Sequence, residues 1–136
     1  RQTLCQHPFL LKILTKEFGV MWDPCPLNPE WTPSCGDGLT VPWHATTFVN
    51  PPYSKTKAFV QKSFTAWKLG KTIIFLIKVN NLSTKYFKAC PGEEIRILSN
   101  RIRFPGYTKP SAFGSILVIY HAHKVSTKYS VIELLP

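Results

Sequence analysis

The stretch Thr46-Thr47-Phe48-Val49-Asn50-Pro51-Pro52-Tyr53 (residues 46–53) joins four β-favouring residues to a turn of unusual stiffness. Threonine, phenylalanine and valine suit a half-buried pleated surface. Asn-Pro starts turns, and two successive prolines fix φ and remove two backbone donors. Beyond the turn, Lys57–Leu69 sets Ala58, Phe59, Phe64 and Trp67 at helical spacing, and Gly70 closes the segment. Thr72–Val79 (TIIFLIKV) then reads as an apolar strand of the kind buried on both sheet faces. Strand, stiff turn, helix and buried strand together predict an α/β unit.

Working outward, Pro8–Phe18 carries Phe9, Leu10, Ile13, Leu14 and Phe18 at helical spacing, with Pro8 in the first turn and Gly19 as the stop. Val20-Met21-Trp22 reads as a short buried strand that delivers Asp23. Pro24–Pro42 is mostly loop, of a length that is expected to be functional or mobile. On the far side, Ser83 can cap a short helix with Tyr86 and Phe87. Glu94–Leu98 and Arg101–Phe104 are strand-like around a Ser99-Asn100 turn, and Ser115–His121 is the last strong strand. Lys128–Leu135 alternates weakly, so residues 122–136 are expected as an edge strand or tail. The expected fold is a single compact α/β domain over residues 1–136, its sheet mostly parallel with an antiparallel edge. Asp23-Pro24 and Asn50–Tyr53 both follow predicted strands, where open α/β sheets bind their ligands.

Composition narrows the partner. The 136 residues are 44% hydrophobic and 18% charged, which suits one globular core and excludes a disordered chain. Lys and Arg outnumber Asp and Glu by 17 to 7, for a formal charge of +10. Such a domain attracts polyanions, nucleic acid first, because each neutralised phosphate releases counterions. Cys5, Cys25, Cys35 and Cys90 form no C-x-x-C pair, so no metal site is expected and the thiols are read as reduced, in an intracellular compartment. No apolar run reaches membrane-spanning length, so no membrane partner is expected. The chain begins at Arg1, which is read as processing or excision from something longer.

The turn at residues 50–53 reads either as a plain proline-rich turn or as a site for one kind of chemistry, and its place after Phe48-Val49 and before a helix favours the second. The lone pair of an exocyclic amine on a nucleobase is delocalised into the ring, and the nitrogen is a poor nucleophile. Acceptors aimed at its two N–H bonds draw it toward a tetrahedral shape and localise the pair toward an electrophilic methyl group. An Asn side-chain oxygen and the carbonyl of the following proline can supply both acceptors, and Asn50 and Pro51 stand in that order. Pro52 stiffens the turn, and Tyr53 offers a face for base stacking. A base within a duplex cannot reach such a turn, so the substrate is flipped out or single-stranded. Adenine and cytosine amines present similar N–H geometry, and the turn alone leaves both open, in DNA or RNA.

Taken in order, five segments resemble the phage-type (Dam family) DNA N6-adenine methyltransferases. They are Glu17-Phe18-Gly19-Val20-Met21-Trp22-Asp23, then Asp37-Gly38-Leu39 with Trp43, and Phe48–Ser54. Leu76-Ile77 with Ser83-Thr84-Lys85-Tyr86-Phe87 is the fourth, and Glu94-Ile95-Arg96, Arg101–Phe104 and Ser115–Ile119 form the last. The resemblance implies a Rossmann-like methyltransferase fold, S-adenosylmethionine as methyl donor and DNA as substrate. It makes Asn50, Pro51, Pro52 and Tyr53 the catalytic residues, with Asp23, Pro24, Asp37 and Asn50 beside the cofactor. Asp37 reads equally as a loop-capping residue. Two departures stand out. Cys25-Pro26-Leu27-Asn28-Pro29 replaces a Gly-rich turn, and Lys78 stands where the family tends to have proline.

Ser54, Lys55, Lys57, Lys78, Lys85, Arg101 and Arg103 are candidate nucleic-acid contacts, each weighed against an ordinary solvated surface charge. The histidines are read as structural or surface residues. No segment is large enough for a separate recognition domain, so target choice falls to loops or to a protein partner. Three readings stay open: a DNA adenine-N6 methyltransferase, an N4-cytosine or RNA-base methyltransferase, and a catalytically silent nucleic-acid-binding scaffold. Phage-derived, nuclear and cytoplasmic settings are not separated.

Overall fold

A computed structural model describes residues 8–24, 38–51, 55–78, 93–98, 114–123 and 129–132. Helix α1 spans Pro8–Phe18, as its apolar spacing predicts, and buries Leu10 and Leu14. Gly19 leaves it at φ 77°, a left-handed backbone that glycine adopts without Cβ strain. That turn throws Val20 into solvent, 93% exposed, so the expected buried strand over Val20–Trp22 shrinks to one bridge at Trp22.

Strand β1 is Thr46–Val49, helix α2 is Thr56–Lys68 and strand β2 is Thr72–Lys78. The close of α2 shows its chemistry in the backbone. Gly70, at φ 88°, donates to the Trp67 carbonyl at 2.9 Å, and Lys71 reaches back to Ala66 at 3.2 Å. This paired capping satisfies carbonyls the helix end would otherwise orphan. Strands β3 (Glu93–Leu98), β4 (Ser115–Tyr120) and β5 (Tyr129–Ile132) complete a mixed sheet in the order β1-β2-β4-β3-β5.

The sheet corrects the expectation of a mostly parallel array with an antiparallel edge. Pairs β1·β2 and β3·β5 are parallel, while β4 runs antiparallel to both β2 and β3. The one reversed strand among those described is therefore interior, and the edge strand β5 is parallel to its neighbour. The residues account for this placement. All six side chains of β4 are buried, which requires neighbours on both sides, whereas β5 alternates exposed and half-buried positions as an edge permits. Residues 101–104, expected as a strand, lie outside the described residues, as does the short helix expected after Ser83.

Period-two alternation splits the sheet into two buried faces. Val49, Ile73, Phe75, Val118 and Tyr120 pack with Phe59, Val60 and Ala66 of α2. Phe48, Ile74, Leu76, Leu117 and Ile119 pack with Leu10 and Leu14 of α1. Register joins like to like, with Phe75 opposite Val118 and Leu76 opposite Leu117. Burying each such side chain stabilises the fold by about 1.5–3 kcal/mol, so β2 is as apolar as its sequence suggests for good reason. With α2 and α1 on the two faces, the parallel strands β1 and β2 end together on one rim, the kind of place where open α/β sheets bind their ligands.

Candidate active site

Trp22 lies alongside β1 in a parallel bridge to Thr47. Its N–H donates to the Thr46 carbonyl at 3.0 Å, and the Phe48 N–H donates to the Trp22 carbonyl at 2.8 Å. Asp23 and Pro24 therefore leave the sheet on the edge where Asn50 and Pro51 leave β1. One residue past the bridge, Asp23 is level with Phe48, which puts Asn50 about 7 Å farther along the strand direction. Asn50 is 9% exposed, Pro51 is buried and Asp23 is half-buried. A carboxylate and an amide are thus carried to one rim by rigid backbone rather than by mobile loops.

Lys78 closes β2 on the same rim, opposite Ser115 of β4. Lys55 and Lys57 open α2 and are exposed. Pro52, Tyr53, Ser54, Asp37, Lys85, Arg101 and Arg103 lie outside the described residues. The brought-together set is accordingly Asp23, Pro24, Asn50, Pro51, Lys55, Lys57 and Lys78.

Gly38 ties a second expected motif to this rim. A Cβ built on it would overlap the carbonyl oxygen of Pro24, so the chain after Asp37 lies directly against Asp23-Pro24. Trp43 fixes the approach, its indole N–H donating to the Gly38 carbonyl at 2.8 Å. The overlap is with backbone, which cannot swing aside. Gly38→Ala is therefore expected to displace the Asp23-Pro24 segment, costing about 1–3 kcal/mol of stability. Urea unfolding of the variant checks this, and an unchanged midpoint would show that the contact with Pro24 can relax without cost.

Two arrangements escaped the sequence reading. The Trp22 and His44 rings stack at 4.3 Å between centroids and 2° between planes, bracing the residue before Asp23. At the opposite edge of the sheet, Glu94 accepts from His121 at 2.7 Å and from Arg96 at 2.8 Å, while Arg96 also holds Glu17 of α1. His121 is thus structural, as read, but it does have a carboxylate partner. The available signal was Glu94 and Arg96 two apart on a strand, hence on one face.

Among the described residues no three His, Cys, Asp or Glu side chains gather as a metal site, and no helix there is long and apolar enough to cross a membrane. A family model for DNA N-6-adenine-methyltransferase (Dam) matches residues 27–132, more than half the chain and all of its described strands. That match defines the class as an enzyme that methylates adenine in DNA. The chain belongs to the Dam family of DNA N6-adenine methyltransferases. No curated protein and no solved structure matches it.

Proposed function

We propose that this chain transfers a methyl group from S-adenosylmethionine to N6 of an adenine that is flipped out of DNA or single-stranded, with Asn50–Tyr53 as the catalytic turn. The observation that carries the proposal is the shared rim. Asn50 and Pro51 leave β1 beside Asp23 and Pro24, which leave the neighbouring Trp22 bridge in the same direction. An acceptor pair for the amine and a carboxylate for the cofactor thus stand one strand apart. The family match and the three-layer arrangement agree with a Rossmann-like methyltransferase fold.

The residues present fit the cofactor through donor chemistry. A carboxylate at Asp23 or Asp37 accepts from ribose hydroxyls or an amine, and the tight Gly38–Pro24 contact holds those two segments together. When bound, S-adenosylmethionine supplies an electrophilic methyl on a sulfonium. The chain does the rest by position and electrostatics. The Asn50 Oδ1 and the Pro51 carbonyl accept the two N6 hydrogens and turn the nitrogen lone pair out of the base plane. The stiff Pro51-Pro52 backbone keeps both acceptors fixed. Tyr53 stacks on the extruded base, and Lys55, Lys57 and Lys78 draw in the phosphates beside it. Ser54, Lys85, Arg101 and Arg103 are further proposed DNA contacts, and the setting is proposed to be intracellular and reducing.

Labelled methyl transfer to DNA with adenine or cytosine replaced in turn tests the reading. Label retained when adenine is absent, or no label with any DNA, would defeat it. Tyr53→Ala is expected to weaken base capture, since stacking contributes about 1–3 kcal/mol per base. That is a rise of roughly 5- to 160-fold in KM for single-stranded substrate, measured by initial rates, with an unchanged KM counting against stacking.

A further inference from the structure

From Gly38 to Gly92 the chain carries eight lysines and no aspartate or glutamate; all seven acidic residues lie outside that stretch. The acid-free stretch contains the whole β1–α2–β2 unit that bears Asn50. Within it, α2 turns Phe59, Val60, Ser63 and Ala66 into the core. At about 100° per residue, Lys57, Gln61, Thr65 and Lys68 fall within an arc of roughly 80° on the opposite side, and all four are exposed. Lys62, half-buried, stands about 60° beyond that arc, and Lys71, also half-buried, follows just past the end of the helix. Among the described residues, ion pairs run to Arg96 and His121 and none to Lys57, Lys62, Lys68 or Lys71. An ordinary solvated helix face mixes signs, with glutamates three or four residues from lysines. This one has no negative charge to mix.

We propose that the solvent face of α2 is a phosphate track for the duplex flanking the target adenine. Because α2 begins just beyond the turn after β1, Lys57 lies at the end near Asn50, and Lys62, Lys68 and Lys71 lead away from it. Lys57 to Lys68 spans about 17 Å, the rise of about five base pairs at 3.4 Å each. The track would hold the duplex while one base is extruded, a task with no separate recognition domain among the described residues. The inference rests on the DNA-methyltransferase reading and adds the surface that grips the substrate. Lys12 and Lys16 of α1 are also exposed, but α1 packs on the other face of the sheet, which makes them a control for net charge.

The test is fluorescence anisotropy of a labelled two-turn DNA duplex across a salt series, with methyl transfer assayed in parallel. Lys62→Gln, Lys68→Gln and Lys71→Gln combined should lower the slope of log affinity against log salt by about 0.9 for each phosphate no longer neutralised, or about two to three in all. Lys12→Gln with Lys16→Gln should leave the slope near that of the parent. An unchanged slope in the triple variant, or an equal fall in the α1 control, overturns the track. So does preferential binding of an RNA duplex or anionic lipid vesicles that the triple variant loses. Adenine transfer with an unchanged slope sinks the track alone. A fallen slope without any transfer by the parent chain supports the track and sinks the catalytic reading.

Discussion

Asn50→Ala is expected to remove nearly all methyl transfer while the proposed cofactor, S-adenosylmethionine, still binds. The expected loss is at least about a hundredfold in kcat, the scale found when one pre-organised hydrogen-bonding group is removed from a reacting centre. The reason is geometric. Asn50 follows Val49 directly, and Val49 is locked opposite Phe75 in a parallel ladder, so the amide has little freedom to be replaced by a neighbour. Pro51 cannot donate a backbone hydrogen bond, which leaves its carbonyl as the only other acceptor proposed for the amine. Asn50 is nearly buried, so the variant must be shown to be folded by its thermal transition before its rate is read. Asn50→Asp retains an acceptor oxygen at the same place and is expected to keep more activity than alanine. Calorimetry with the cofactor separates a lost reaction from a lost site. Full activity in the alanine variant would end the assignment of this turn as catalytic.

The parts of the fold that the sequence exposed are those with a local physical cause. Helix α1 and strand β1 follow from apolar spacing, stop glycines and β-favouring residues, and the observed bounds are Pro8–Phe18 and Thr46–Val49. The double burial of β2 was legible because nothing polar interrupts Ile73–Ile77. Strand order was not legible, since it depends on which partners a buried strand finds across the chain. SILVIY at residues 115–120 declares itself buried, yet nothing local says that it inserts between β2 and β3 and runs against both. The same division holds at the rim. That Asn50 and Asp23 share one rim was legible from their place after predicted strands, whereas the Gly38 contact with Pro24 and the Trp22–His44 stack join segments that no periodicity connects. Val20 marks the opposite failure. A β-branched residue reads as strand, but the left-handed turn at Gly19 carries it into solvent.

Arg96→Ala should produce the largest loss of stability, about 3 kcal/mol near neutral pH, because removing one partner of a buried ion pair strands the other. Arg96 touches two carboxylates and an aromatic ring. It donates to Glu94 at 2.8 Å, grips Glu17 through a two-pronged contact at 2.5 and 2.6 Å, and its guanidinium carbon lies 5.6 Å from the Phe18 ring centroid. Glu17 is the more exposed partner, so its own bond contributes little and Glu17→Gln should cost under about 1 kcal/mol. Glu94 is the group that suffers. Burial by itself pushes its carboxyl upward, but hydrogen bonds from Arg96 and His121 outweigh burial and hold it below its ordinary 4.5. With that carboxyl ionised it can only accept, so His121 must carry the Nε2 proton. A lowered carboxyl pKa gives stability that is present above pH 4.5 and is lost as pH falls through the folded value. Without Arg96 the carboxyl loses the cation that lowers it most and protonates at higher pH. The gap between parent and variant is therefore widest near neutrality and narrows as pH falls, closing only below the parent's lowered folded value, where both carry a protonated Glu94. Arg96→Lys should fall between them, because an ammonium cannot reproduce the fork that spans Glu94 and Glu17. Urea unfolding at a series of pH values measures the gap directly. A gap that stays constant with pH would show that Arg96 acts through its packing on Phe18 and not through the carboxylates.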